Sequence, residues 1–262
     1  VRSFALLLLL VAAPAAAETV QVGFAPPTGK AMLYHMEQKR STQGREARLS
    51  ADRVLRFEKA GAGYVLHVVL RGFEAEGPEE VAEPFRAAMT PLEGVEQVFR
   101  LDAGGRIVSV DNMDALWSAA GKGVDEMLAR FPADSARHKA ALRIQALFES
   151  LSEDARVELL AGELKPLLMF ADTPVVDGAG RGLRSMAGSP LGRPVPVEGQ
   201  VAMTKRAGDK LTLDEALAGQ GVAVAIRYRA SAASGLVEEQ QRQLSVGDRQ
   251  LAEIRTLTPL PD

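Results

Sequence analysis

The 262 residues carry 31 Lys and Arg against 34 Asp and Glu, a formal charge of −3, with 47% hydrophobic side chains and no cysteine. So mild a balance gives no electrostatic footprint for nucleic acid or an anionic membrane surface. The missing thiols exclude disulfides, thiolate metal sites and cysteine nucleophiles, so the chain must hold together by burial, at a length still within reach of one domain.

The first residues, VRSFALLLLLVAAPAAAETV, place Arg2 before an apolar run from Phe4 to Ala13 and end it on Ala15-Ala16-Ala17. That layout predicts a secretory signal peptide over 1–17, cut between Ala17 and Glu18. The apolar run falls short of the ~20 residues that a membrane span needs. With no cysteine to carry a lipid anchor, the mature protein is expected to be soluble, with no integral membrane span. Removing Arg2 leaves 30 basic and 34 acidic residues, a formal −4. Val1 reads as an alternative bacterial start codon. The expected location is the periplasm, with secretion from the cell as the alternative.

Residues 18–29 read as a linker before a single α+β domain over 30–262. Within it, 30–110 reads as β. Met32, Tyr34 and Met36 alternate with polar neighbours up to a turn at Thr42-Gln43-Gly44, and Leu49, Ala51, Leu55 and Phe57 share a face on the returning strand. GYVLHVVLR (63–71) is apolar on both faces, with Tyr64, Leu66, Val68 and Leu70 on one and Val65, His67 and Val69 on the other. One face is expected in the main core and the second under helices or over a cavity, with the His67 ring hydrogen-bonded in a structural role. FEAEGPEEVAEPF reads as an acidic loop with a short helix near its end. VEQVFRL and RIVSV form a hairpin around Asp102-Ala103-Gly104-Gly105.

Residues 113–165 read as helical. Met113, Leu116, Trp117, Ala120, Val124, Met127, Leu128 and Phe131 make one apolar stripe, and Pro132 ends it. Asp134 is the expected cap of a second helix, and Ser150 with Glu153 has capping-box spacing for a third. Residues 171–198 are dense in Gly and Pro without sustained period, which predicts a long loop. The last zone, 199–258, returns to β, with VAVAIRYR (222–229) alternating and a hairpin around Val246-Gly247-Asp248. The order β, α, β predicts an α+β fold: a curved, half-barrel-like antiparallel sheet built from both ends of the chain, with two to three helices on one face.

Motifs for chemistry are few. GFAPPTGKA (23–31) has five residues between its glycines, Ala31 where a phosphate loop needs a hydroxyl, and two prolines that remove backbone donors. GAGRGLRS (178–185) follows no strand and is not a dinucleotide fingerprint. His35, His67 and His138 are scattered without carboxylates at ligand spacing, so no metal and no cofactor is expected. No nucleophile elbow or S-x-x-K appears, and an arbitrary set such as His67 with Asp111 is the minor alternative of a hydrolase with a dispersed site. The expectation is therefore a non-catalytic binding or carrier module for an apolar small molecule, a lipid or an acyl chain. Its cavity, between sheet and helices, would be lined by Leu66, Val68, Met113, Trp117 and Met127, since thioethers adapt to variable apolar shapes. At the level of layout this resembles the half-barrel carriers that hold lipid or lipoprotein acyl chains in the periplasm. The alternative is a structural or partner-binding envelope protein with a filled core. A cavity of a few hundred Å³ separates the two.

Overall fold

The computed structural model describes residues 19–176, 178, 180–187 and 195–261; the expected signal peptide lies outside them. Among the described residues, eleven strands form one antiparallel sheet. Its order is β6 (Ile107–Val110), β5 (Glu96–Leu101), β4 (Gly63–Glu76), β3 (Arg45–Ala60), β2 (Ala31–Thr42), β13 (Arg249–Pro259), β12 (Val237–Val246), β11 (Val222–Ser231), β10 (Lys210–Gly219), β9 (Val195–Ala207) and β8 (Arg181–Ala187). The seam between β2 and β13 joins the two ends of the chain, as the β, α, β order requires. The sheet is curved and half-barrel-like, and the fold is α+β.

Two-residue turns set the register. Gln43 and Gly44 turn β2 into β3 with φ 51° and 75°, and Gln220 and Gly221 turn β10 into β11 with φ 46° and 78°. Paired positive φ values match the twist of an antiparallel hairpin. Because side chains alternate, fixing these turns fixes which residues face inward. In β11, Val222, Val224, Ile226 and Tyr228 are buried while Ala223, Ala225, Arg227 and Arg229 are exposed. In β4, Tyr64, Leu66, Val68 and Leu70 form the inner face. Full burial of one such leucine is worth about 1.5–3 kcal/mol.

The second face of β4 differs from expectation. Val65, His67 and Val69 point outward, away from the helices, with Glu58, Arg100, Arg56 and Glu96 as register neighbours. Long charged side chains cover apolar surface with their stems while keeping their heads in water. The His67 ring is hydrogen-bonded, as expected, through Nδ1 to Glu96 Oε1 at 2.9 Å, and Nε2 lies 3.6 Å from Glu58.

The inner face carries two large apolar clusters. Over β2–β6, the cover comes from α2 (Met113–Arg130) through Leu116, from the end of α4 (Glu153–Ala161) through Ala161, and from Leu164 and Leu167 in the turns that follow. Over β8–β12, it comes from Phe170 and from a two-stranded ribbon, β1 (Thr19–Gln21) paired with β7 (Pro174–Val176). The helical block thus covers one wing of the sheet. α1 (Glu79–Met89) packs near β4 and carries Phe85 against Phe73. α3 (Ala136–Ser150) buries Ala141 alone and lies against α2. The helix starts fall one to two residues beyond the expected caps: Ser135 Oγ accepts from His138 N–H at 3.0 Å, and Ser152 Oγ from Ala155 N–H at 3.3 Å.

Two segments read as irregular contain strands. The 18–29 linker contains β1, and beyond it the Gly23 and Ala25 N–H groups donate to the Ala232 and Ser234 carbonyls. Phe24 sets its ring against Phe57 and Tyr64 at 6.2 and 5.1 Å. The 171–198 loop contains β7, β8 and the start of β9; 188–194 lie outside the described residues. β8 is an edge strand on which only Leu183 and Ala187 turn inward to any burial, so its pairing rests largely on backbone bonds and leaves little alternation to read.

Candidate functional site

Where the wings meet, the inner face turns polar. Gln38, Arg53, Glu215, Gln240, Glu253 and Arg255 are each buried to less than a tenth exposed. Pairing across β2, β13 and β12 sets Gln38, Glu253 and Arg242 in one row, and Met36, Arg255 and Gln240 in the next. Arg255 is the hub. Its Nε donates to Glu253 Oε1 at 2.9 Å, and its Nη1 to the Glu163 carbonyl at 2.8 Å. Gln38 Nε2 donates to the other Glu253 oxygen at 2.8 Å, and Arg40 Nε to Gln38 Oε1 at 2.5 Å. Arg53 on β3 lies 3.8 Å from the same Glu163 carboxylate that Arg255 approaches at 3.3 Å. Tyr228 donates its hydroxyl to Glu215 Oε2 at 3.0 Å.

The electrostatics follow from burial. Burial raises the Glu215 pKa more than Tyr228, Arg242 and Arg181 lower it. Burial also pushes Glu253 upward, but Arg255, Arg242 and Gln38 outweigh it and the carboxyl ends below its ordinary value. Arg255 is opposed by burial and held charged by Glu163, Tyr34 and Glu253. Among the described residues, four buried atoms have no hydrogen-bond partner: Arg53 Nη1, Gln240 Oε1, Arg242 Nε and Arg156 Nε. Such groups cost about 1–3 kcal/mol each while unpaired, and three of the four sit along this seam.

Beside the seam runs an aliphatic row. Leu251, Leu244, Val224 and Leu217 are register partners on β13, β12, β11 and β10, and Leu183 continues the row on β8 past Gly199. Leu251, Leu244 and Leu183 are half-buried.

Of the five residues expected to line a cavity, Leu66, Val68 and Met113 share one cluster, and Trp117 and Met127 lie outside it. Leu66 and Val68 are in the close-packed N-terminal wing, 0% and 1% exposed, with Met113 half-buried at its margin. Trp117 stacks on Phe148 of α3 at 4.6 Å, with the Arg156 guanidinium 4.8 Å from its ring, so it ties helix to helix. Met127 is half-buried further along α2, and Met169 is exposed. Zero exposure at Leu55, Phe57, Leu66, Phe99, Leu116 and Leu167 means that no water-sized void touches them. Two recesses, each of about 340 Å³, lie elsewhere. One is bordered by Lys39, Arg40, Gln243, Ala252 and the row's Leu244 and Leu251, the other by Asp102, Arg106 and Asp172.

The dispersed-site histidines have structural partners. His35 bonds Asp52 at 2.6 Å, His67 bonds Glu96, and Asp111 is held by Arg100 at 2.7 Å. The His138 ring meets the Leu128 and Phe131 carbonyls at the end of α2. Among the described residues no helix is long and apolar enough to cross a membrane.

No protein-family model matches the chain, and no curated protein matches it. Among solved structures, a domain from Vibrio parahaemolyticus, provisionally named an outer membrane lipoprotein-sorting protein, is similar over 88% of this chain and 85% of that one. The identity is 9% and the TM-score 0.20, a likeness that fixes neither fold nor activity.

Proposed function

We propose that the protein is a non-catalytic binding protein, a carrier for an apolar ligand such as a lipid or an acyl chain, working in the periplasm after export. The observation that carries the reading is the aliphatic row from Leu251 to Leu183. It crosses five strand spacings, roughly 24 Å at ~4.8 Å each, on the inner face of the wing that the ribbon and Phe170 cover in place of the helices. Its half-buried end at Leu251 adjoins a polar seam, so an extended chain with a polar end matches both. Export is supported by the pattern of residues 1–17.

A second reading, a structural or partner-binding envelope protein, is favoured by the zero exposure of Leu66 and its neighbours, which leaves that wing no room for a ligand. Titration with a fluorescent acyl-chain probe separates the two. The carrier reading expects saturable binding that Leu244→Asp weakens at least tenfold, since a charge on the row loses about 1.4 kcal/mol or more per bound chain. Absence of saturable binding in the unaltered protein favours the second reading.

A further inference from the structure

The two edges of the large sheet differ. β6 is four residues long, its register to β5 shifts between Arg100 and Leu101, and α4 packs against it. Short length, irregular pairing and a covering helix are ways in which proteins blunt a sheet edge. β8 has none of them. Its seven residues pair with β9 without a shift and include no proline, and among the described residues no strand takes its outer edge. A row of backbone donors and acceptors is therefore open to another strand. The side chains along it are equally free, with Arg184 85% and Met186 58% exposed.

Gly182 sits in the middle of this edge. Its φ lies outside the left-handed region, and a Cβ there would meet nothing within 4 Å. Nothing in one copy calls for glycine at that position, yet glycine weakens a strand interior and marks places where another backbone comes close. A fitting neighbour is β8 itself. GRGLRSM (180–186), laid antiparallel on itself about Leu183, sets Gly182 opposite Arg184 and Gly180 opposite Met186. Arg181 then faces Ser185, and Leu183 faces Leu183. Each long outward side chain meets a glycine, and no like charges meet. Centring the pair on Arg184 instead would set two guanidinium groups directly opposite, which is destabilising. On the inner face, Leu183 continues the row from Leu217 past Gly199.

We propose that the β8 edge is the docking surface for a second copy of this chain. Two β8 strands pair antiparallel about a two-fold axis at Leu183, joining two sheets into one and the two aliphatic rows end to end. The proposal stands apart from the carrier reading. One strand edge is a small interface, below the ~1,200 Å² of stable complexes, so the dimer exchanges with monomer.

Sedimentation velocity of the unaltered full chain is expected to show that exchange, half complete at roughly 10–100 µM. A monomer at every concentration up to about 500 µM overturns the proposal. The chain has no cysteine, so one introduced thiol reports the register. In a directly opposed pair the Cα atoms lie ~4.5–5.5 Å apart, within reach of a disulfide. Leu183→Cys meets its own copy in this way, whereas two Ser185→Cys thiols lie four residues out of step, roughly 13 Å along the strand. Under mild oxidation Leu183→Cys is expected to form covalent dimer at least tenfold faster than Ser185→Cys. Equal rates, or a faster Ser185→Cys, overturn the two-fold at Leu183. Sedimentation needs no substitution, so a thiol variant that fails to fold does not remove the test.

Discussion

Arg255 shows how one side chain holds the two wings together. It is 7% exposed and bonds Glu253 beside it and the Glu163 carbonyl beyond α4. Arg255→Met leaves the buried Glu253 carboxylate without its cation and is expected to destabilise by about 3–5 kcal/mol, read as a fall in urea midpoint, with part recovered by adding Glu253→Gln. Glu215 has the opposite sign. Its folded pKa is raised, so its charge costs stability above that value, and the cost is relieved as pH falls through it. Glu253, with a lowered pKa, contributes stability above the ordinary carboxylate range and loses it only as pH falls through the lowered value. Glu215→Gln is therefore expected to raise the urea midpoint at about pH 8. The difference should vanish near pH 4, below the ~4.3 of an unfolded glutamate; a constant offset across that range contradicts the assignment. These residues were hidden in the sequence because VEEQQRQL and RQLAEIRTL are polar at both parities, so nothing marked Gln240, Arg242, Glu253 and Arg255 as inward.

At the scale of elements, hydrophobic period located strands and helices well but said less about their partners. The α2 stripe was legible, yet it divides: Leu116 and Val124 are buried, while Trp117 turns to Phe148 on α3. α3 thus hangs on α2 more than on the sheet. Trp117→Ala removes a stacked pair worth about 1 kcal/mol. It is expected to speed amide exchange across 136–150 while leaving β3 and β4 protected. Equal loosening of helix and strand amides contradicts that hierarchy. β8 escaped notice because an edge strand with only Leu183 and Ala187 turned inward carries little alternation, and β1 because three residues are too few for a period. In GYVLHVVLR, the doubly apolar pattern signalled a central strand flanked by long charged side chains, not a second buried layer.

The whole molecule is a curved sheet closed at its middle by the chain's own ends, with a helical cover over one wing and a short ribbon over the other. The β, α, β order was sufficient to anticipate that architecture. It could not show which wing is filled, because packing density is a property of facing side chains that no single segment records. On the carrier reading, the ligand would lie along β8–β13, away from the residues first expected to line it. Native mass spectrometry of the full chain purified from the periplasm tests this account most directly. It predicts a noncovalent adduct in the mass range of a lipid, removed by organic solvent and re-formed on mixing with oleate. A bare protein mass before and after that mixing contradicts it.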